Sequence, residues 1–269
     1  MTHEQNTGAW SCLRQPFFMV RQGWQRLVRL VPGHCPVCNK RAKGAVLCSA
    51  CAASVTRTMQ MATDAVSAMD QSIITRCPRC ALRLYGQNAC PDCALLPLAV
   101  SRVLAAFDYE APGKDLVARF KQGKQFLLAR GLAQLMAAEV KRHAELQNDL
   151  EGRVLVPVPS RQASIQERGF SPAAELARYI AKEIALPCRL NWLMRRDEGL
   201  RQTGQTRRSR LALALKDGYD CQPLPPGTRI VLVDDVMTTG STLHQVAATL
   251  RQAGAVDVMA LVLARTPLY

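Results

Sequence analysis

A chain of 269 residues with 48% apolar content can bury a full core and still carry a second small module, which excludes a disordered or fibrous protein. Its 35 Lys and Arg against 21 Asp and Glu give a formal charge of +14, which points to anionic partners: nucleic acid, nucleotides or an acidic membrane surface. No run approaches the roughly 20 apolar residues of a membrane-spanning helix, so no transmembrane segment is expected.

The first segment, residues 1–32, contains WSCLRQPFFMVRQGWQRLVRLV, in which Arg14, Arg21, Arg26 and Arg29 interrupt every apolar run. That spacing does not suit a secretory signal. It suits a basic amphipathic helix, either packed on the cysteine-rich module after it or offering a docking surface. Of the 11 cysteines, eight lie between Cys35 and Cys93 as four Cys-x-x-Cys pairs, leaving Cys12, Cys188 and Cys221 apart. Without a signal peptide this pattern implies a reducing, cytoplasmic setting and metal-bound thiolates. The pairs form a repeat: CPVCNKRAKGAVLCSAC and CPRCALRLYGQNACPDC both read Cys-x2-Cys-x9-Cys-x2-Cys, 42 residues apart. Two knuckles joined by a short hairpin meet the needs of a tetrahedral zinc site. Residues 33–100 are therefore expected to be a double zinc ribbon with two structural zinc ions, held by Cys35, Cys38, Cys48, Cys51, Cys77, Cys80, Cys90 and Cys93. A single zinc, an iron–sulfur cluster and a redox dithiol are the alternatives. Spacing leaves open whether each ion takes four consecutive cysteines or an interleaved set. Four thiolates leave no open coordination position, so this zinc is expected to hold structure and do no chemistry.

Beyond Ser101 the pattern changes to strands alternating with helices. SRVLAAFDY, VLVPVP, RIVLVDD and VDVMALVLAR read as buried strands, and residues 126–146 and 243–254 as helices, the second closed by Gly254. Another helix opens at Ser171 as cap and Pro172 as first-turn residue, with Leu176, Ile180 and Ile184 on one face. The expectation is an α/β domain over residues 101–269, with a parallel sheet covered by helices on both faces.

Ligands of such sheets bind beyond the carboxyl ends of the strands, where RIVLVDD ends in Asp234 and Asp235. The small-residue loop after them, Thr238, Thr239, Gly240, Ser241 and Thr242, runs into a helix. It lets backbone N–H groups and hydroxyls converge on a phosphate at the helix N-terminus. Two carboxylates would repel that phosphate unless they faced another part of the same ligand. A sugar diol satisfies them, because carboxylates accept its hydrogen bonds, so the ligand suggested is a ribose 5-phosphate.

The stretch IVLVDDVMTTGST resembles the phosphoribosyl diphosphate signature of type I phosphoribosyltransferases. That resemblance implies a type I phosphoribosyltransferase-like sheet, with Asp234 and Asp235 on the ribose hydroxyls as the catalytic pair. Val236, Met237 and Thr238 to Thr242 would line the 5-phosphate. With the paired knuckles upstream, the chain is similar over nearly its whole length to the ComF/GntX family of DNA-uptake and competence proteins. Tyr109, FKQGK around Lys121, VPVPSRQASIQERGF and QTGQTRRSR agree, while Ser171 and Leu213 stand where that family usually has asparagine. The implied ligand is phosphoribosyl diphosphate with Mg²⁺, and the implied partners are single-stranded DNA and other DNA-uptake proteins. Arg161 and Arg168 could clamp the diphosphate through bidentate hydrogen bonds, or serve as solvated ion-pair partners, with Lys121 a further contact. Between Arg189 and Arg210 stand seven arginines, among them Arg195, Arg196, Arg201, Arg207, Arg208 and Arg210, beside Trp192 and polar residues. That mixture suits phosphate contact and base stacking on single-stranded DNA, or a basic loop over the active site. Three functions fit these features: a binding protein for DNA uptake or use; an active transferase moving phosphoribose to an acceptor in nucleotide metabolism; and a sensor that binds phosphoribosyl diphosphate without turnover.

Overall fold

The apolar runs separated by helical periods assemble, as their alternation requires, into one parallel sheet. The chain is described here by a computed structural model covering residues 32–43, 47–64, 74–85, 89–122, 125, 128–143, 147–196 and 218–267. It separates into two units between Cys51 and Ala52. In the first, strands β1 (Pro32–His34) and β2 (Arg41–Lys43) form an antiparallel hairpin with Gly33 opposite Ala42. Helix α1 (Ser49–Asp64) begins there and continues into the second unit.

The second unit opens with the other copy of the repeat. Strands β3 (Ile74–Arg76) and β4 (Arg83–Tyr85) pair as β1 and β2 do, and a short helix α2 (Pro91–Leu95) comes next. The main sheet then takes β5 (Val103–Asp108), β6 (Arg153–Pro157), β9 (Arg229–Met237) and β10 (Asp257–Arg265) in the spatial order β5-β10-β9-β6, all parallel. Helices α3 (Gly113–Gln122), α4 (Leu128–Arg142) and α5 (Gln147–Leu150) connect β5 to β6. After β6 come α6 (Gln162–Arg168) and α7 (Pro172–Glu183), the latter leading to a parallel bridge between Cys188 and Leu155 that widens the sheet beyond β6. A small hairpin of β7 (Leu193–Arg195) and β8 (Tyr219–Cys221) precedes β9, and α8 (Ser241–Gln252) joins β9 to β10.

Handedness distributes the helices. The crossovers β5 to β6 and β6 to Cys188 run in one direction across the sheet, and their helices α4 and α7 pack on each other. The crossover β9 to β10 runs the other way, so a right-handed connection puts α8 on the opposite face. Both faces are thereby covered, and β10 is buried from Val258 to its last residue. The expected parallel sheet stands.

Two local expectations change. Ser171 occupies the N-cap position of α7, but its hydroxyl contacts the Ser160 hydroxyl at 3.1 Å and makes no capping hydrogen bond. Ile184 is only half-buried where Leu176 and Ile180 are fully buried. It is the residue that ends α7, because Ala185 turns left-handed at φ 55°. Gly254 closes α8 as expected, in a conformation (φ 107°) that favours glycine.

Candidate functional site

The cysteines gather in consecutive fours. Cys35, Cys38, Cys48 and Cys51 form one cluster, and Cys77, Cys80, Cys90 and Cys93 the other, with sulfurs within 4.8 Å of one another in each. The interleaved alternative is set aside. Local geometry repeats along with the spacing: Asn39 N–H donates to the Cys35 carbonyl at 2.8 Å and Ala81 N–H to the Cys77 carbonyl at 2.9 Å, and both residues sit at positive φ. The Sγ–Sγ separations of 3.6 Å (Cys38–Cys48), 3.7 Å (Cys77–Cys93) and 3.4 Å (Cys80–Cys90) are far longer than a disulfide. They approach the roughly 3.8 Å edge of a tetrahedron with 2.3 Å zinc–sulfur bonds. Electrostatics agree. Burial opposes charging of Cys35, but the N–H groups of Cys48, Cys38 and Val37 outweigh it and lower the thiol to about 6. Four crowded thiols cannot all ionise without a cation among them, so Cys51 and Cys80 are held up by burial and by neighbouring cysteines. The donor sets fit zinc.

The second cluster of functional residues lies at the carboxyl edge of the sheet. β9 is fully buried from Ile230 through Val233, and Asp234 and Asp235 after it are half-buried. Asp234 Oδ1 accepts from Asp235 N–H at 2.8 Å and Asp235 Oδ1 from Val236 N–H at 2.6 Å, which fixes both side chains against their own backbone. Burial first, and the Asp235 charge second, push Asp234 up to about 8. Lys121, in the last turn of α3, reaches Asp235 at 2.9 Å. Met237 is buried, and Thr238 and Thr239 are exposed. Thr239 and Ser241 hydroxyls pair at 3.1 Å across Gly240, whose φ of 82° turns the chain into α8. A Cβ there would stand 2.7 Å from Met237 Cε and 2.8 Å from Leu98 Cδ2, so glycine suits both the backbone conformation and the space these side chains fill. Asp234, Val236, Met237, Thr238, Ser241 and Thr242 line one recess.

Neighbouring elements bring further residues to this edge. Val158 N–H bonds the Val233 carbonyl at 2.9 Å, so the segment after β6 runs alongside the end of β9. Arg161 lies at the exposed N-cap of α6, and its charge reaches Tyr219, as does that of Asp234. Arg168 donates from Nε to the Ser164 carbonyl of its own helix at 3.0 Å. Phe170 packs on Phe120 with ring centroids 5.3 Å apart, tying this segment to α3. In the β7–β8 hairpin, Arg195 lies over the Tyr219 ring and donates to its hydroxyl at 3.1 Å, and Arg196 pairs with Asp220. Arg201, Arg207, Arg208 and Arg210 lie outside the described residues, as do Cys12, Leu213 and the basic segment before Pro32.

Sequence reasoning missed a set of charged residues between the second cysteine cluster and this edge. Asp108, 3% exposed at the end of β5, takes a bidentate contact from Arg76 at 2.8 and 2.7 Å and a further one from Arg83. Arg265, 1% exposed at the end of β10, pairs with Asp92. The only signal was a charged residue closing an apolar run, in VLAAFD and VMALVLAR, which names no partner.

Residues 163–267 match the family described as phosphoribosyl transferase domain. The chain is similar to Competence protein F of Haemophilus influenzae, at 29% identity over 68% of this chain and 81% of that protein. Competence protein ComFC of Streptococcus pneumoniae is 30% identical over 76% of this chain and 87% of its own. DNA utilization protein YhgH of Salmonella typhimurium is 28% identical over 88% and 98%. Among solved structures, glutamine phosphoribosylpyrophosphate amidotransferase from B. subtilis matches with a TM-score of 0.36 at 20% identity, covering 50% of this chain and 26% of that one.

Proposed function

Because this chain belongs to the ComF family of competence and DNA-utilisation proteins, we propose that it serves the uptake or use of external DNA in the cytoplasm, binding phosphoribosyl diphosphate with Mg²⁺ and engaging single-stranded DNA. One observation carries the ligand: two carboxylates end the buried part of β9 and a hydroxyl-rich loop turns at once into the N-terminus of α8. A ligand held there offers hydroxyls to Asp234 and Asp235 and a phosphate to Thr238–Thr242, the two ends of one ribose 5-phosphate. Lys121 would balance Asp235 until the ligand arrives, and Arg161 would face the diphosphate. Mg²⁺ would come with the diphosphate and supply positive charge against it. Zinc in the two cysteine clusters would hold the ribbons.

Calorimetric titration of the zinc-loaded protein with phosphoribosyl diphosphate and Mg²⁺ tests this reading. Binding is expected in the wild type, with at least a tenfold loss in Asp234→Asn/Asp235→Asn; equal heats in both proteins would reject it. Diphosphate release from the same samples, with and without a panel of nucleobases, separates a binding protein from the transferase. Stimulated release would assign turnover.

A further inference from the structure

Arg265 joins two parts of the molecule that the sequence keeps far apart. Its register partner on β9 is Met237, so its guanidinium stands where both central strands leave the sheet. Nε donates to the Cys80 carbonyl at 3.1 Å, across 185 residues. Nη1 donates to the Thr238 carbonyl and, at 2.8 Å, to the Thr266 carbonyl, while Nη2 pairs with Asp92. Cys80 is a member of the second cysteine cluster, and Asp92 stands between Cys90 and Cys93 on α2. Thr238 opens the hydroxyl-rich loop. A single fork of donors thus touches the cluster on one side and the loop on the other.

This contact has company. Leu98, a few residues past the cluster, accepts from Arg79 Nη2 on its carbonyl at 2.6 Å, and its side chain occupies the space a Cβ on Gly240 would need. Arg79, between Cys77 and Cys80 of the second cluster, also takes the Val103 N–H on its carbonyl at 2.9 Å, at the start of β5. Peptide geometry carries the effect to the loop. A trans peptide points its C=O and N–H in opposite directions, so holding the Thr238 carbonyl on Arg265 aims the Thr239 N–H away from the guanidinium.

We propose that the second cysteine cluster positions the Thr238–Thr242 loop through Asp92 and Arg265, so that an intact cluster is a condition for tight binding of a 5-phosphorylated sugar. Arg265 and Asp92 are positioning residues, and the binding part of the proposal rests on the ligand reading above. Asp92 and the Cys80 carbonyl are rigid only while the knuckles are closed. Without them the guanidinium keeps its charge and loses two of its acceptors, and the loop peptide it orients becomes free to rotate.

Two variants test this with no sulfur altered. Asp92→Asn removes the carboxylate, and Arg265→Lys keeps the charge but lacks the fork. Glu175→Gln on α7 matches the charge change of Asp92→Asn away from the loop. Metal content, amide hydrogen exchange across residues 237–243 without ligand, and ribose 5-phosphate affinity are measured on each. With wild-type metal content, both variants are expected to exchange at least tenfold faster in this segment and to bind about tenfold more weakly, and Glu175→Gln to match the wild type. Wild-type exchange in both variants, or equal loosening in Glu175→Gln, overturns the proposal. If the wild type itself binds no ribose 5-phosphate, the ligand reading fails, and the exchange rates alone still decide whether the cluster positions the loop.

Discussion

At the end of β9, Asp234 has already given up much of its hydration before any ligand arrives. Its acid form is favoured up to about pH 8, against an ordinary value of 3.8, because burial and the adjacent Asp235 charge both disfavour ionisation. Linkage fixes the sign of the stability effect. Between those two values the folded chain binds a proton that the unfolded chain has released, so this site's contribution is fully present below about pH 4 and is lost as pH rises toward 8. Asp234→Asn removes the slope. Denaturant melts should show the variant gaining on the wild type as pH rises from 5 to 9, by an amount on the order of a few kcal/mol. A constant difference across that range would show that the carboxyl titrates normally. A neighbouring residue illustrates how much of the site sequence could reveal. The pair Asp234–Asp235 was legible because the chemistry sits in consecutive residues, whereas the Lys121–Asp235 contact joins α3 to β9 and no spacing rule predicts its 2.9 Å.

Among the elements, the turn from β9 into α8 is the tightest constraint near the candidate site. Gly240→Ala places a methyl group against the side-chain ends of Met237 and Leu98 at a φ that disfavours side chains, so the turn is strained and both side chains are displaced. Phosphoribosyl diphosphate affinity is expected to fall at least tenfold, with a loss of roughly 2 kcal/mol in stability, measured by titration and melting. The end of α7 offers the opposite case. Ala185 is exposed and left-handed where helices usually place glycine, so Ala185→Gly should raise stability by about 1 kcal/mol. The strands and helices of the sheet were legible because their periods differ, 2 against 3.6, and their apolar faces are long. The end of α7 was not, because Ile184 continues the helical period and only the backbone at Ala185 breaks it. Asp108 with Arg76 and Arg83 was equally hidden, since ion pairs across 32 and 25 residues leave no local pattern.

On the scale of the whole molecule, excess positive charge directs the chain toward polyanions, but its arginines differ in availability. Arg195 and Arg196 already have partners in Tyr219 and Asp220. Arg207, Arg208 and Arg210 carry the sharper expectation. Each phosphate neutralised on a single strand contributes about −0.7 to the slope of log affinity against log salt, so replacing the three should flatten that slope by about 2. Binding to single-stranded DNA measured at several salt concentrations checks it, and an unchanged slope would remove these three arginines from any DNA contact. The sheet itself has a last consequence, for how the chain is made. β10 pairs on one side with β5 and on the other with β9, and Val103 must wait for Ala260. At translation rates of roughly 5 to 20 residues per second, β5 spends about ten to thirty seconds outside the ribosome without its neighbour. Both sets of cysteines emerge before it, each complete within a few seconds. Metal capture can therefore precede closure of the sheet, and a shortage of metal during synthesis would be felt before the apolar strands have anywhere to go.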